Sequence, residues 1–333
     1  MIKIFIILLI SLSLLNSCQN KVYAPNTFIV TRYNSLISGA YEDIAKVNFY
    51  KETQNAIVYC EAGYQINTEE LDFMIQGFED NYSKMTNIYG KPTDIDNNGK
   101  IIILLINMNR NVGGVFHPGD LVYGIRNNAE ILYIDINCSD KLETILHEFQ
   151  HLINHNVNFM QKGYSILWLN EILSRATQSL YKQGDMHYGA YYNCFYTWNL
   201  QLYYAGDYGV YINDKTAENF IWYLFKKNNE SPEVFKRIAH STEREGYKKI
   251  LSAVEGMGIG ETWEEVLYNF ASHILENAIS DDDVNYYLTD SDTTVALYPG
   301  AFIFYEENGK TKIALNPDTY VGNTPKPIYF TTP

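Results

Sequence analysis

Residues 142–154 read Leu142-Glu143-Thr144-Ile145-Leu146-His147-Glu148-Phe149-Gln150-His151-Leu152-Ile153-Asn154, and the fold turns on how this stretch is read. At about 100° per residue on a helix, Leu142, Ile145, Leu146, Phe149, Leu152 and Ile153 gather on one face. His147, Glu148 and His151 fall on the other. Two imidazoles four residues apart on a helix converge on one tetrahedral zinc ion, and the glutamate beside them can take the proton from a water on that ion. The plainer reading is an amphipathic surface helix that happens to carry two histidines. A third ligand would separate the two readings. His155 is eight residues from His147, about 12 Å along a helix axis, too far to share an ion with it. Glu171, in Trp168-Leu169-Asn170-Glu171, follows His151 by 20 residues. That is enough chain to finish the first helix, turn through 159–165 and bring a second helix back alongside. The plainer reading of Glu171 is a solvated helix acid.

Outward from this core, Glu130 to Asp135 alternates like a strand, and Ser139 is a plausible N-cap for the helix that follows. Ile101 to Ile106 reads as a buried strand, with a Gly-rich loop after it at Gly113-Gly114. From Thr68 the spacing is helical, with Leu71, Phe73, Met74, Phe78 and Met85 on the apolar side. Before residue 66 come short β-like runs such as Phe28-Ile29-Val30 and Ala56-Ile57-Val58-Tyr59. Downstream, Ser231-Pro232-Glu233 marks one helix start, and Thr262 with Glu265 forms a capping box ahead of the stripe Trp263, Val266, Leu267, Phe270, Ile274, Leu275. Ser280 to Asp283 reads as a boundary. Beyond it, Asn308-Gly309 between two apolar runs predicts a β-hairpin. The expected organisation is a signal segment over 1–18, a tether and β segment over 19–66, a catalytic-type domain over 67–283, and a small β segment over 284–333.

Asp94, Asp96 and Asn98 with Gly99 match the first half of a calcium loop, but position twelve would be Leu105, where a bidentate glutamate belongs. Two readings stand: a Ca²⁺ site, or a tight Asx-type turn leading into a strand.

The strand at 130–135, the motif His147 to Asn154, Trp168-Leu169-Asn170-Glu171, and Asp94 to Lys100 leading into Ile101–Ile106 together resemble the hyicolysin family of bacterial zinc metallopeptidases. The resemblance covers roughly residues 70–275. It implies an α+β zincin-like fold of the gluzincin type, with a mixed sheet over the histidine helix and a helical C-terminal lobe. By match of position it implies His147, His151 and Glu171 as zinc ligands, Glu148 as catalytic base and a protein or peptide substrate. Many gluzincins carry an acid four residues after the ligand glutamate, where it orients a ligand histidine; here that position is Arg175. An oxyanion donor is also expected. Residues 188–211 hold eight tyrosines, His187 precedes them, and Tyr208 and Tyr211 are the candidates, set against the reading that these rings only pack.

The N-terminus sets the compartment. Ile4 to Leu15 is an apolar run broken only by Ser11 and Ser13, after Lys3, too short to span a bilayer and right for a signal-peptide core. Leu15-Asn16-Ser17-Cys18 resembles a lipobox, which implies a bacterial envelope protein held to the bilayer by an acylated Cys18; a plain secreted protein is the alternative. Cys60, Cys138 and Cys194 then remain, so at most one disulfide forms. With 25 Lys+Arg against 39 Asp+Glu the net charge is −14, a field that repels phosphate and argues against nucleic acid as a partner. Two functions from different classes follow: an extracytoplasmic zinc endopeptidase, or a surface-binding lipoprotein on an inert peptidase scaffold.

Overall fold

A computed structural model describes residues 26–34, 39–109, 113–181, 198–199, 214–277, 288–289, 291–319 and 327–333. Cys18, His187, Cys194, Tyr208, Tyr211 and the 280–283 boundary lie outside the described residues.

The architecture is mixed α+β. Six strands form one sheet: β1 (Thr27–Asn34), β2 (Gly39–Glu52), β3 (Ala56–Glu61), β4 (Ile101–Ile106), β5 (Gly114–Phe116) and β6 (Ile131–Asp135), in the order β1-β2-β3-β4-β6-β5. The β3–β4 and β4–β6 pairs are parallel and the rest antiparallel. Central parallel strands are covered on both faces, which is why β4 is an unbroken aliphatic run with every residue buried. Ile101, Ile103 and Leu105 face the main helical core, while Ile102, Leu104 and Ile106 join a second core with Phe28, Val30, Ala45 and Val47. That second core exists because the sheet curls. Ile29 exchanges two hydrogen bonds with the Asn127 side chain, and Tyr33 N–H donates to Met108 O, drawing β1 back over the sheet. The strands before residue 66 thus share one sheet with those after it.

Helix α1 (Thr68–Tyr89) is the crossover from β3 to β4. Asn67 caps it by accepting from Glu69 N–H and Glu70 N–H, and Gly90 ends it at φ +106°, a conformation open to glycine. Leu71, Met74, Phe78 and Met85 are buried as the spacing predicts, whereas Phe73 is half exposed. Two residues past Leu71 is about 200° around the helix, so Phe73 faces away. Helix α2 (Lys141–Asn154) carries the histidine motif, and Ile145, Leu146, Phe149, Leu152 and Ile153 are wholly buried beneath the sheet. It starts one residue later than expected: Asp140 is the N-cap, without a side-chain capping bond, and the Ser139 hydroxyl donates to the Asp140 carboxylate at 3.0 Å.

A π-helical turn (His155–Met160) leads to α3 (Leu167–Tyr181), then α4 (Asp214–Lys227), α5 (Glu233–His240), α6 (Gly246–Val254) and α7 (Trp263–Glu276). The Thr262–Glu265 capping box is present. The hairpin of β10 (Ala301–Glu307) and β11 (Lys310–Leu315) turns through Asn308 and Gly309, both left-handed, as the Asn-Gly pair predicts. Short strands β7 (Trp198–Asn199) and β8 (Leu288–Thr289) flank β10, and β9 (Thr294–Leu297) pairs with β12 (Ile328–Thr331). Phe302 and Phe304 of β10 enter the main core, with Phe302 edge-on to Phe270 of α7 at 5.6 Å. No helix of the described residues is long and apolar enough to cross a membrane.

Phe149 joins α2 to α1, its ring 5.1 Å from both Phe78 and Tyr82. Phe149→Ala should cost about 3–5 kcal/mol of unfolding free energy, read from the urea midpoint at unchanged slope.

Candidate metal centre

Helices α2 and α3 pack side by side, and between them three side chains meet. His147 Nε2 and His151 Nε2 stand 3.0 Å apart with their rings nearly perpendicular. Glu171 on α3 reaches both, with Oε2 3.5 Å from His147 Nε2 and Oε1 3.4 Å from His151 Nε2. Two ligands of one tetrahedral zinc, each about 2.0–2.1 Å from it, stand about 3.3 Å apart. The three separations fit that ion. So does the donor chemistry: two ring nitrogens at 3.0 Å with a carboxylate between them is a set that a cation satisfies.

The electrostatics favour the ligating forms. Burial holds the His151 imidazole below its usual range, against the opposing pull of Glu171, which keeps it neutral. Burial by itself would raise the Glu171 carboxyl. The bond to His147 and the charges of His151, His147 and Arg175 outweigh it and hold that carboxyl below the usual range. Glu148 is the opposite case. Burial pushes it up to about 7, and neither His151 nor the Phe116 N–H brings it back.

The backbone amide of Phe116, on edge strand β5, donates to Glu148 Oε2 at 2.8 Å. This contact carries no sequence signature, since any residue but proline supplies an amide. Its enabling residue does. Gly114 is the first residue of β5 rather than part of a loop, and a Cβ there would lie 2.6 Å from Thr144 Cγ2, 2.8 Å from Tyr133 O and 3.0 Å from Glu148 Cγ. Glycine lets the strand sit directly on the helix.

Ser174 is the second residue that the motif alone does not reveal. Its oxygen lies 3.2 Å from His151 Nδ1, and its one proton goes to Asn170 O at 2.7 Å or Gln150 Oε1 at 3.0 Å. The same oxygen is 3.4 Å from His151 Nε2; with Nε2 turned to a metal, the proton belongs on Nδ1 and the serine is placed to accept it. Ser174 is one turn beyond Glu171 on the same face of α3, so i,i+3 spacing could have pointed to it. Arg175, at the position where an acid was expected, lines the cleft and its charge eases ionisation of Glu148 and Glu171. His155 begins the π-helical turn and stacks on Phe159 at 4.9 Å, apart from the three converging groups.

These groups sit in a cleft of about 850 Å³, walled by Val115 and Phe116 on one side and by α3 on the other. On a separate turn, Asp94 and Asp96 come together with Glu130, while Asn98 offers its oxygen to Lys100 N–H and its amide to Asp96. The Cys60 thiol is buried and pushed up to about 11, so it behaves as a small hydrophobe; Cys138 is half-buried, and both are free.

No family model matches the chain. It is 29% identical over 184 residues to the neutral metalloprotease ShpI of Staphylococcus hyicus, a match taking in 45% of this chain and 40% of that protein. This chain is a distant relative of a metalloprotease. The likeness spans less than half the length of that relative.

Ser174→Ala should weaken zinc binding about 10–100-fold with the fold intact, measured by competition with a chromogenic chelator beside a far-UV circular dichroism spectrum.

Proposed function

We propose that the protein is a zinc-dependent endopeptidase working outside the cytoplasm. The observation that carries the proposal is the approach of His147, His151 and Glu171 to within 3.0–3.5 Å of one another, with Glu148 in the same cleft. Zinc, when bound, supplies Lewis acidity to a water and to the scissile carbonyl. The chain's own residues do the rest. Phe116 N–H grips one oxygen of Glu148 and so aims the other. Glu148 accepts the proton of the attacking water and later passes it to the leaving amine.

A peptide substrate suits the cleft. Among the described residues strand β5 is the edge of its sheet, pairing with β6 on one side only, and it contributes Val115 and Phe116 to the cleft wall. An extended peptide can lie along such an edge, with main-chain hydrogen bonds giving affinity whatever its sequence. The relationship to a metalloprotease supports the same chemistry. The apolar run Ile4 to Leu15, followed closely by Cys18, supports an envelope location with the mature chain tethered by lipid. An inert binding scaffold would need no aligned set of four groups.

Casein should be cleaved into internal fragments by the chain from Gln19, and a zinc chelator should abolish the cleavage. Glu148→Ala should lose at least about 10²-fold in rate while keeping one zinc per chain by metal analysis. Undiminished cleavage by that variant, or purified protein that binds no zinc, would sink the proposal. Gly114→Ala should slow turnover about 10–100-fold through displacement of Glu148, with zinc content unchanged.

A further inference from the structure

Glu130 is 0% exposed and stands immediately before β6. Its Oε1 accepts the Ile95 N–H at 2.9 Å, but its Oε2 is buried with no hydrogen-bond partner. The Thr93 hydroxyl is the side-chain donor that pulls this carboxyl down, but it makes no well-formed hydrogen bond and leaves Oε2 poorly satisfied. A buried carboxylate oxygen left without a partner is costly. Carboxylate oxygens of Asp94, Asp96 and Glu130 lie within 4.8 Å of one another. Burial raises the Glu130 carboxyl, and burial together with the Asp94 charge raises Asp96; no basic group offsets either. Lys100, the base next to the turn, is spent on Thr53 O, Gln54 O and Glu52.

We propose that Asp94, Asp96 and Glu130 bind a calcium ion that pins the 94–99 turn to the entry of β6. Oxygens bound to one Ca²⁺ at 2.3–2.6 Å can stand up to about 5 Å apart, which the cluster satisfies. The donors are all oxygen, with no nitrogen or sulfur to favour zinc. Calcium sheds its water more readily than magnesium for a site built of protein oxygens. The topology also accounts for the half-loop in the sequence. Position twelve of the loop is Leu105, fully buried in β4. The missing carboxylate comes instead from the neighbouring parallel strand, because Ile102 of β4 pairs with Ile131 of β6 and sets Glu130 beside the turn. The site is separate from the cleft and does not depend on peptidase activity.

The test is calorimetric titration of calcium chloride into chelator-treated full chain reloaded with zinc, paired with thermal melts. One calcium should bind with a Kd of roughly 10⁻⁵–10⁻³ M. At calcium ten times its Kd, the unfolding constant should fall about tenfold, a rise of about 2–4 °C in melting temperature. Glu130→Gln should abolish the calcium heat and melt no lower than the parent in calcium-free buffer, because a neutral amide replaces an unpaired buried carboxylate. A merely structural glutamate would instead leave a variant that melts lower without calcium. Should Glu130→Gln fail to fold, Asp96→Asn on the exposed turn should lose at least tenfold in calcium affinity. His151→Ala should bind calcium like the parent, which keeps this site distinct from the zinc centre. Absence of heat and of any melting shift up to about 10 mM calcium, above the weakest protein calcium sites, would overturn the proposal. Unchanged calcium binding in both acidic-site variants would overturn it too, and an equal response to magnesium would overturn the assignment to calcium.

Discussion

Helix α2 has to serve two environments at once, and the cleft depends on how firmly its apolar side is held. Five aliphatic and aromatic side chains on that side are fully buried, each contributing about 1.5–3 kcal/mol by leaving water. This anchoring fixes the rotation of the helix about its axis. Rotation matters because His147 and His151 must aim their Nε2 atoms within a few tenths of an ångström of one point, and a surface helix free to roll would scatter them. The second anchor comes from above: Phe116 N–H reaches Glu148 only because Gly113 and Gly114 let β5 lie on the helix.

Burying ionisable groups is expensive, and the structure meets that cost in two ways. At the centre between α2 and α3, ring nitrogens and a carboxylate face one another at separations that suit a small tetrahedral cation, and Ser174 completes the hydrogen bonding of one ring. At the 94–99 turn, three carboxylates gather with one oxygen left dry and unpaired. The donors differ, nitrogen-rich in one case and all oxygen in the other, and so do the cations they suit. Both clusters use β6 as a reference: Glu130 at its start, and at its end the short link through 136–140 into α2.

Much of this was legible because the signals were local. The strand at 101–106, the amphipathic helix at 142–154, the capping box at 262–265 and the Asn-Gly hairpin at 308–309 each follow from periodicity or from one turn's chemistry. His147, Glu148 and His151 belong to one helix, so spacing alone places them together. Glu171 was reachable because a helix, a turn and a returning helix fit the 20 intervening residues. Phe73 and Ser139 show the limit of that reading, since a two-residue offset faces a side chain away and a cap can shift by one position.

What the sequence determined by itself were the periodic elements and the donors that one helix or one helical hairpin brings together. The tertiary structure alone decided the contacts that join segments far apart in sequence: Phe116 N–H on Glu148, Ser174 on His151, and Glu130 beneath Asp94 and Asp96. Helical spacing is set by the backbone of a single segment. A partner across strands depends on sheet order and register, and these arise only when the whole chain folds around a shared core.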